Sequence, residues 1–131
     1  MQLLLDTHIW LWSQDETKRL TRRVLRAVED SRNEVWISPV SIWEILGLYH
    51  KGRLKLQGGA ASWISKALLE QPCREAPFTH DVALATETFA LPHNDPMDTF
   101  LVASAKVYGL TLVTGDTKLI AAKACAVLAN R

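Results

Sequence analysis

The chain has little of what most readily marks a protein's chemistry. It has two cysteines, Cys73 and Cys125, among 131 residues. Their spacing fits no metal-ligand pattern, and in an intracellular protein they are expected reduced and buried. The four histidines, His8, His50, His80 and His93, show no H-x₃-H or Cys/His spacing, which argues against a zinc site. No Ser-His or Cys-His context marks a covalent nucleophile. The longest apolar-rich stretch, residues 35–49, carries Pro39 and Glu44 and is too short to span a bilayer. The start, MQLLLDTHIWLW, lacks a basic region and is interrupted by Asp6, which argues against a signal peptide. Net charge is only +1, so any nucleic-acid contact must come from a local patch. There is no internal repeat, low-complexity segment or linker. One domain over residues 1–131, in the cytoplasm and off the membrane, is the expectation.

What is present is an ordinary globular composition, 48% hydrophobic and 22% charged, with length enough for a real core. Leu3, Leu4 and Leu5 form a continuous apolar run, the pattern of a strand buried on both faces. Helices are expected after Asp6, over 21–30, from Ser38-Pro39 to Gly52, over 60–71, from Thr79 to about Ala90, and from Asp95-Pro96 to Tyr108. Strands are expected at 34–37 and 110–114, with short extended pieces near 74–78 and 124–128. Gly115-Asp116 opens a short helical turn. The alternation predicts an α/β fold with a central, mostly parallel β-sheet flanked by helices.

Four acids stand where predicted strands give way to helices: Asp6, Glu44, Asp98 and Asp116. In a parallel sheet such positions gather along one edge. Asp6, Asp95 and Asp116 are also plausible helix caps, and Asp98 completes a D-P-x-D pattern resembling a capping box. Capping does not account for Glu44, one turn inside a helix rich in Ile, Trp and Leu. Clustered carboxylates without a paired base repel one another, and a hard cation, Mg²⁺ or Mn²⁺, is the usual remedy. The acids therefore predict metal-dependent phosphoryl transfer. Asp95 can cap a helix or support the metal shell. Thr114 can orient Asp116 or a metal-bound water, and Thr7 has the same two readings, each balanced by an ordinary structural role. His93, close to Asp95, is read as a turn histidine with a local hydrogen bond.

Arg19, Arg22, Arg23 and Arg26 recur at i, i+3, i+4 and i+7, so they are expected to form one basic helical face with Lys18 beside it. Lys51, Arg53 and Lys55 form a second group. A solvated helix face is the plainer reading of either, and the acidic site raises the case for contact with the phosphates of an anionic substrate. Five tryptophans (Trp10, Trp12, Trp36, Trp43 and Trp63) are too many to bury fully with ease, so some are candidates for an interface.

The segments LLLDTHIWLW, SIWEI, LPHNDPMDTFLVASA and LVTGD, in that order and with KGRLKL between the second and third, resemble PIN-domain ribonucleases. More narrowly, they resemble the toxins of VapBC-type toxin–antitoxin pairs. The resemblance covers nearly the whole chain. It implies a central parallel sheet flanked by helices and endonucleolytic cleavage of RNA with Mg²⁺ or Mn²⁺. It further implies a homodimer, or a hetero-oligomer with a small antitoxin protein whose tail lies across the helices. Position by position, Asp6, Glu44, Asp98 and Asp116 match the family's four acids, catalytic and metal-holding together. Asp95 matches the acid before the family's proline, and Thr114 the hydroxyl residue before the last acid. Such toxins often carry Arg directly after the third acid; here Thr99 stands there, and Met97 replaces an aromatic. Two other readings follow from the residues: a non-catalytic PIN-like module binding RNA or protein, and a phosphatase using Asp6 as nucleophile. His8 in place of a second acid argues against the latter.

Overall fold

Asp6 follows a strand whose Leu3, Leu4 and Leu5 are all buried and which lies at the centre of the sheet. The computed structural model describes all 131 residues. Five strands form one sheet: β1 (Gln2–Leu5), β2 (Glu34–Ile37), β3 (Arg74–Glu75), β4 (Thr111–Thr114) and β5 (Val127–Ala129). Their order is β3-β2-β1-β4-β5, and every pairing is parallel. Seven helices flank it: α1 (Thr7–Asp15), α2 (Arg22–Glu29), α3 (Pro39–His50), α4 (Ala60–Glu70), α5 (His80–Ala85), α6 (Pro96–Tyr108) and α7 (Thr117–Ala122). None is long and apolar enough to cross a membrane.

The Leu3–Leu5 run behaves as a strand buried on both faces. Leu3 and Leu5 enter a core with Ile9, Trp10, Ile37 and Ile45. Leu4 points the other way, into a core with Leu101, Val102, Ala105 and Leu112. Side chains alternate across a strand, so one short segment anchors both layers. A fully buried leucine contributes about 2 kcal/mol by leaving water.

Local signals act where the sequence places them. Thr21, Ser38 and Thr79 each accept a backbone N–H at a helix start. Gly109 ends α6 in the left-handed conformation, φ +65°, which glycine adopts without a Cβ clash. Four expectations need correction. The helix from Thr79 gives way after Ala85 to a 3₁₀ turn, Thr86–Thr88, and ends before Phe89. The third strand is two residues long and the last begins at Val127. Both cysteines are half-buried rather than buried.

The chain order matters more than the inventory. From β1 the connection runs through α1 and α2 to β2 on one side. From β3 it returns through α5 and α6 to β4 on the other side of β1. The direction of winding thus reverses between β1 and β4, and a crevice opens at the carboxyl ends of strands at such a point.

Candidate active site

Register places the first acid. Leu5 pairs with Val113, so the next residues, Asp6 and Thr114, leave adjacent strands side by side. The Asp6 amide donates to the Val113 carbonyl at 2.9 Å, and the Thr114 hydroxyl donates to Asp6 Oδ2 at 2.6 Å. Asp6 Oδ1 accepts the Thr7 amide at 2.7 Å as the cap of α1. Thr114 Oγ1 also accepts the Asp116 amide at 3.1 Å. One buried hydroxyl therefore ties the first acid to the backbone of the last. Its main grip is on Asp6, not on the Asp116 side chain that the sequence suggested. Asp116 caps α7, its Oδ1 accepting from the Lys118 amide at 2.8 Å. Thr7 is buried, and its hydroxyl donates to Ser41 Oγ at 3.0 Å, joining α1 to α3. That is a structural tie between helices.

Asp98 comes from the first turn of α6, where the positive end of the helix dipole favours a carboxylate. It does not close a capping box. Asp95 caps the helix alone, accepting the Met97 amide at 2.9 Å. The Asp98 carboxylate turns instead to His93, with Oδ2 2.8 Å from Nε2. His93 thus makes the local hydrogen bond expected of it, but to Asp98. Its Nδ1 is buried with no partner. Thr99 folds back, its hydroxyl donating to the Asp95 carbonyl at 3.2 Å.

The charges of these acids reach one another. Burial raises the Asp6 pKa, opposed mainly by the Thr114 hydrogen bond, and the Asp116 charge adds a smaller upward push. Burial likewise lifts the Asp98 carboxyl to about 6, opposed by His93 and reinforced by Asp95, Asp6 and Asp116. Asp6, Asp98 and Asp116 therefore share one field, and Asp95 bears on Asp98 more strongly than either of the other two. Glu44 stands apart. It is half-buried on α3, three residues beyond Ser41, and it is not among the acids that bear on Asp98. Its helix meets the site one turn earlier, at the Ser41–Thr7 contact. Asp6, Asp98 and Asp116 thus bear on one another's charge, and Glu44 lies on α3 one turn past the Ser41–Thr7 contact.

The donor chemistry suits a hard cation: every group is a carboxylate, and Asp98 Oδ1 and Asp116 Oδ2 accept no hydrogen bond. Yet no three His, Cys, Asp or Glu side chains converge tightly enough to enclose an ion by themselves. The set fits Mg²⁺ or Mn²⁺ held partly through water, the habit of Mg²⁺ in proteins.

The basic residues divide. Thr21 caps α2, so Arg19 lies outside that helix in a 3₁₀ turn, Thr17–Arg19. Arg19 lines a cleft of about 650 Å³ together with Asp6 and Asp116. Arg23 and Arg26 line a different depression with Met1, Thr111 and Val127, at the opposite end of the strands. The expected single face of four arginines therefore does not form. Arg22 is exposed at the start of α2, and Lys51 and Arg53 are exposed in the turn after α3. The tryptophans divide as well. Trp10 is 2% exposed and Trp43 is 67% exposed.

An acid-lined cleft at the switch point of a parallel sheet defines an α/β domain whose chemistry sits at the carboxyl edge of its strands. The chain belongs to the PIN domain family, whose model matches residues 3–124. It is 31% identical over 120 residues to a protein of Mycobacterium tuberculosis (strain ATCC 25618 / H37Rv) named Ribonuclease VapC22, covering 89% of this chain and 88% of that one. Among solved structures it resembles VapBC2 from Rickettsia felis bound to a promoter DNA fragment, with a TM-score of 0.72 at 15% identity over 98% of both chains. It also resembles FitAcB from Neisseria gonorrhoeae, with a TM-score of 0.62 at 25% identity over 96% of both chains. The first of these likenesses is one of fold.

Proposed function

We propose that this chain is a Mg²⁺- or Mn²⁺-dependent endoribonuclease and the toxin of a toxin–antitoxin pair. The pairing of Asp6 and Asp116 in one cleft at the switch point of a PIN domain, with their charges felt by Asp98, carries the reading. The name of the M. tuberculosis relative supports the substrate, RNA. Asp6, Asp98 and Asp116, together with Glu44 from α3, would hold the cation. A bound divalent ion supplies Lewis acidity and charge neutralisation for attack of water on a phosphodiester.

The chain's own residues prepare the site. Thr114 and the Thr7 amide fix both oxygens of Asp6. His93 fixes one oxygen of Asp98 and leaves the other free. Burial lifts the Asp98 carboxyl to about 6, and a bound cation would favour its charged form. Arg19 offers a cation to the RNA on the cleft wall.

The likeness to a ribonuclease named VapC22, and the resemblance to VapBC-type toxins, support an antitoxin partner. A mixed groove of about 500 Å³, lined by Trp10, Leu25, Val28 and Val35 and by Gln14, Glu29 and Gln71, suits the tail of such a protein. Exposed Trp43 on α3 suits a homodimer contact.

The test is cleavage of RNA by purified protein with Mg²⁺ or Mn²⁺. Activity should vanish in EDTA and in Asp6→Asn, Asp98→Asn and Asp116→Asn. Wild-type protein that leaves every RNA whole with either metal present refutes the reading. The looseness of the acid set favours one alternative, a non-catalytic RNA-binding PIN module. RNA binding indifferent to EDTA and without turnover would establish it.

A further inference from the structure

The acid cleft does not end at the acids. A second cleft, about 220 Å³, adjoins it, with His8, Trp12 and Arg19 lining both. The second cleft adds Arg53 and Lys55 from the turn after α3. Together the two clefts make a groove with acids at one end, Arg53 and Lys55 at the other, and Arg19 between them. Asp15 and Glu16 also line the second cleft. Glu16 pairs with Arg19 at 3.6 Å with both side chains more than half exposed. A surface pair of that kind is weak and yields readily to a phosphate.

Trp12 is the shared wall. The Arg19 guanidinium lies 4.9 Å from its ring centroid and the His8 ring 5.7 Å from it. Arg19 is held there from behind. The Asn130 side chain donates to the Arg19 carbonyl at 3.1 Å and accepts the Thr21 amide at 2.7 Å, while the Asn130 backbone amide donates to the Thr114 carbonyl at 2.8 Å. The end of the chain after β5 therefore fixes the turn bearing Arg19 to the strand end that bears Thr114.

We propose that this groove is a single-strand RNA track: the strand runs from the acids past Trp12, a base stacks against the indole and its Arg19–His8 neighbours, and the next phosphates meet Arg53 and Lys55. Aromatic faces alternating with cations are how proteins hold unpaired nucleotides. A duplex keeps its base faces stacked and has none to offer Trp12. The arginines at the opposite end of the sheet, Arg23 and Arg26, take no part. The track deepens the ribonuclease reading and rests on it for which phosphate is cut, while RNA binding to the groove is measurable by itself.

The experiment is an anisotropy titration of a labelled single-stranded RNA oligonucleotide in EDTA, with Asp98→Asn protein as the uncleaving parent. Trp12→Leu keeps apolar bulk but removes the stacking face, and should weaken binding about 5- to 150-fold. Arg53→Ala and Lys55→Ala should each weaken binding and reduce the slope of log K against log salt by about 0.7. Arg23→Ala with Arg26→Ala should leave binding unchanged. Should Trp12→Leu fail to melt cooperatively, the two exposed basic positions carry the test. Absence of RNA binding, duplex bound as tightly as single strand, or groove variants within twofold of the parent would each overturn the track. So would loss of partner-protein binding with RNA binding intact, which would give the groove to a protein. Groove variants that cleave like wild type leave the ribonuclease standing without the track. Groove-dependent binding with no cleavage under any metal leaves the track standing without the ribonuclease.

Discussion

Replacing Asp98 with Asn should stabilise the metal-free protein at alkaline pH while abolishing cleavage. The residue is 8% exposed, and its carboxyl is lifted from 3.8 to about 6, chiefly by burial and secondarily by Asp95, Asp6 and Asp116. As pH rises past 3.8 the unfolded chain releases this proton, while the folded chain keeps it until about 6. The folded state binds more protons across that window, so stability falls as pH rises. The deficit is absent below the lower value and complete above the upper one. At 1.36 kcal/mol per pKa unit it reaches about 3 kcal/mol. Asn carries no charge, and its amide oxygen can still accept from His93. The variant should therefore melt roughly 10 °C higher than wild type at pH 8 in EDTA. At pH 4.5 the advantage should shrink to about 1 kcal/mol. Calorimetry across that pH series reads both numbers. Added Mg²⁺ should narrow the gap at pH 8, because it stabilises the wild type preferentially. An advantage of equal size at both pH values, or a loss of stability at pH 8, would refute the claim that Asp98 is an uncompensated buried charge.

Other outcomes follow from the same geometry. Thr114→Val keeps the shape of a fully buried side chain but removes the hydroxyl on Asp6. It should cost about 1–3 kcal/mol in a denaturant melt and push the Asp6 pKa further up, and Thr114→Ser should restore both. Metal affinity, measured by calorimetric titration, should rise with pH through about 6 and level off above it, as the proton on Asp98 ceases to compete. Asn130→Ala frees the Arg19 carbonyl and the Thr21 amide. It should cost about 1–2 kcal/mol and speed amide exchange at Thr21, whereas unchanged exchange there would show that the clamp does not hold the turn. Gly109→Ala forces a side chain into a left-handed cap and should lower stability by about 1 kcal/mol, read from the melting temperature, with cleavage unaffected.

How much of this was legible in the chain depends on how far each interaction reaches. Leu3–Leu5 declares a doubly buried strand because both its neighbours in the sheet and its two cores demand apolar side chains. Asp95-Pro96 and Gly109 bound α6 by chemistry local to each end. Parallel pairing then brings Asp6 beside Thr114, 108 residues apart, and the placement of Asp6 and Asp116 along one edge could be read before any contact was known. Other features depend on angles that periodicity does not carry. Arg19 matches the spacing of Arg22, Arg23 and Arg26, yet Thr21 caps a helix between them, and the break sends Arg19 to the acid cleft and Arg23 and Arg26 to the far end. Thr21 was itself a readable signal, since a threonine ahead of a helical run competes with continuing the helix through it. The turn of Asp98 toward His93 rather than toward its own helix start had no such signal. The path of the loop that brings His93 back over α6 decides it. Asn130, three residues past the start of a three-residue strand, gains its role only once β5 pairs with β4 and carries it to the end of Thr114. Acids set by strand ends were thus visible from sequence, while the residues that tie acids, cations and backbone to one another emerged only from the packing of loops that strand and helix patterns leave free.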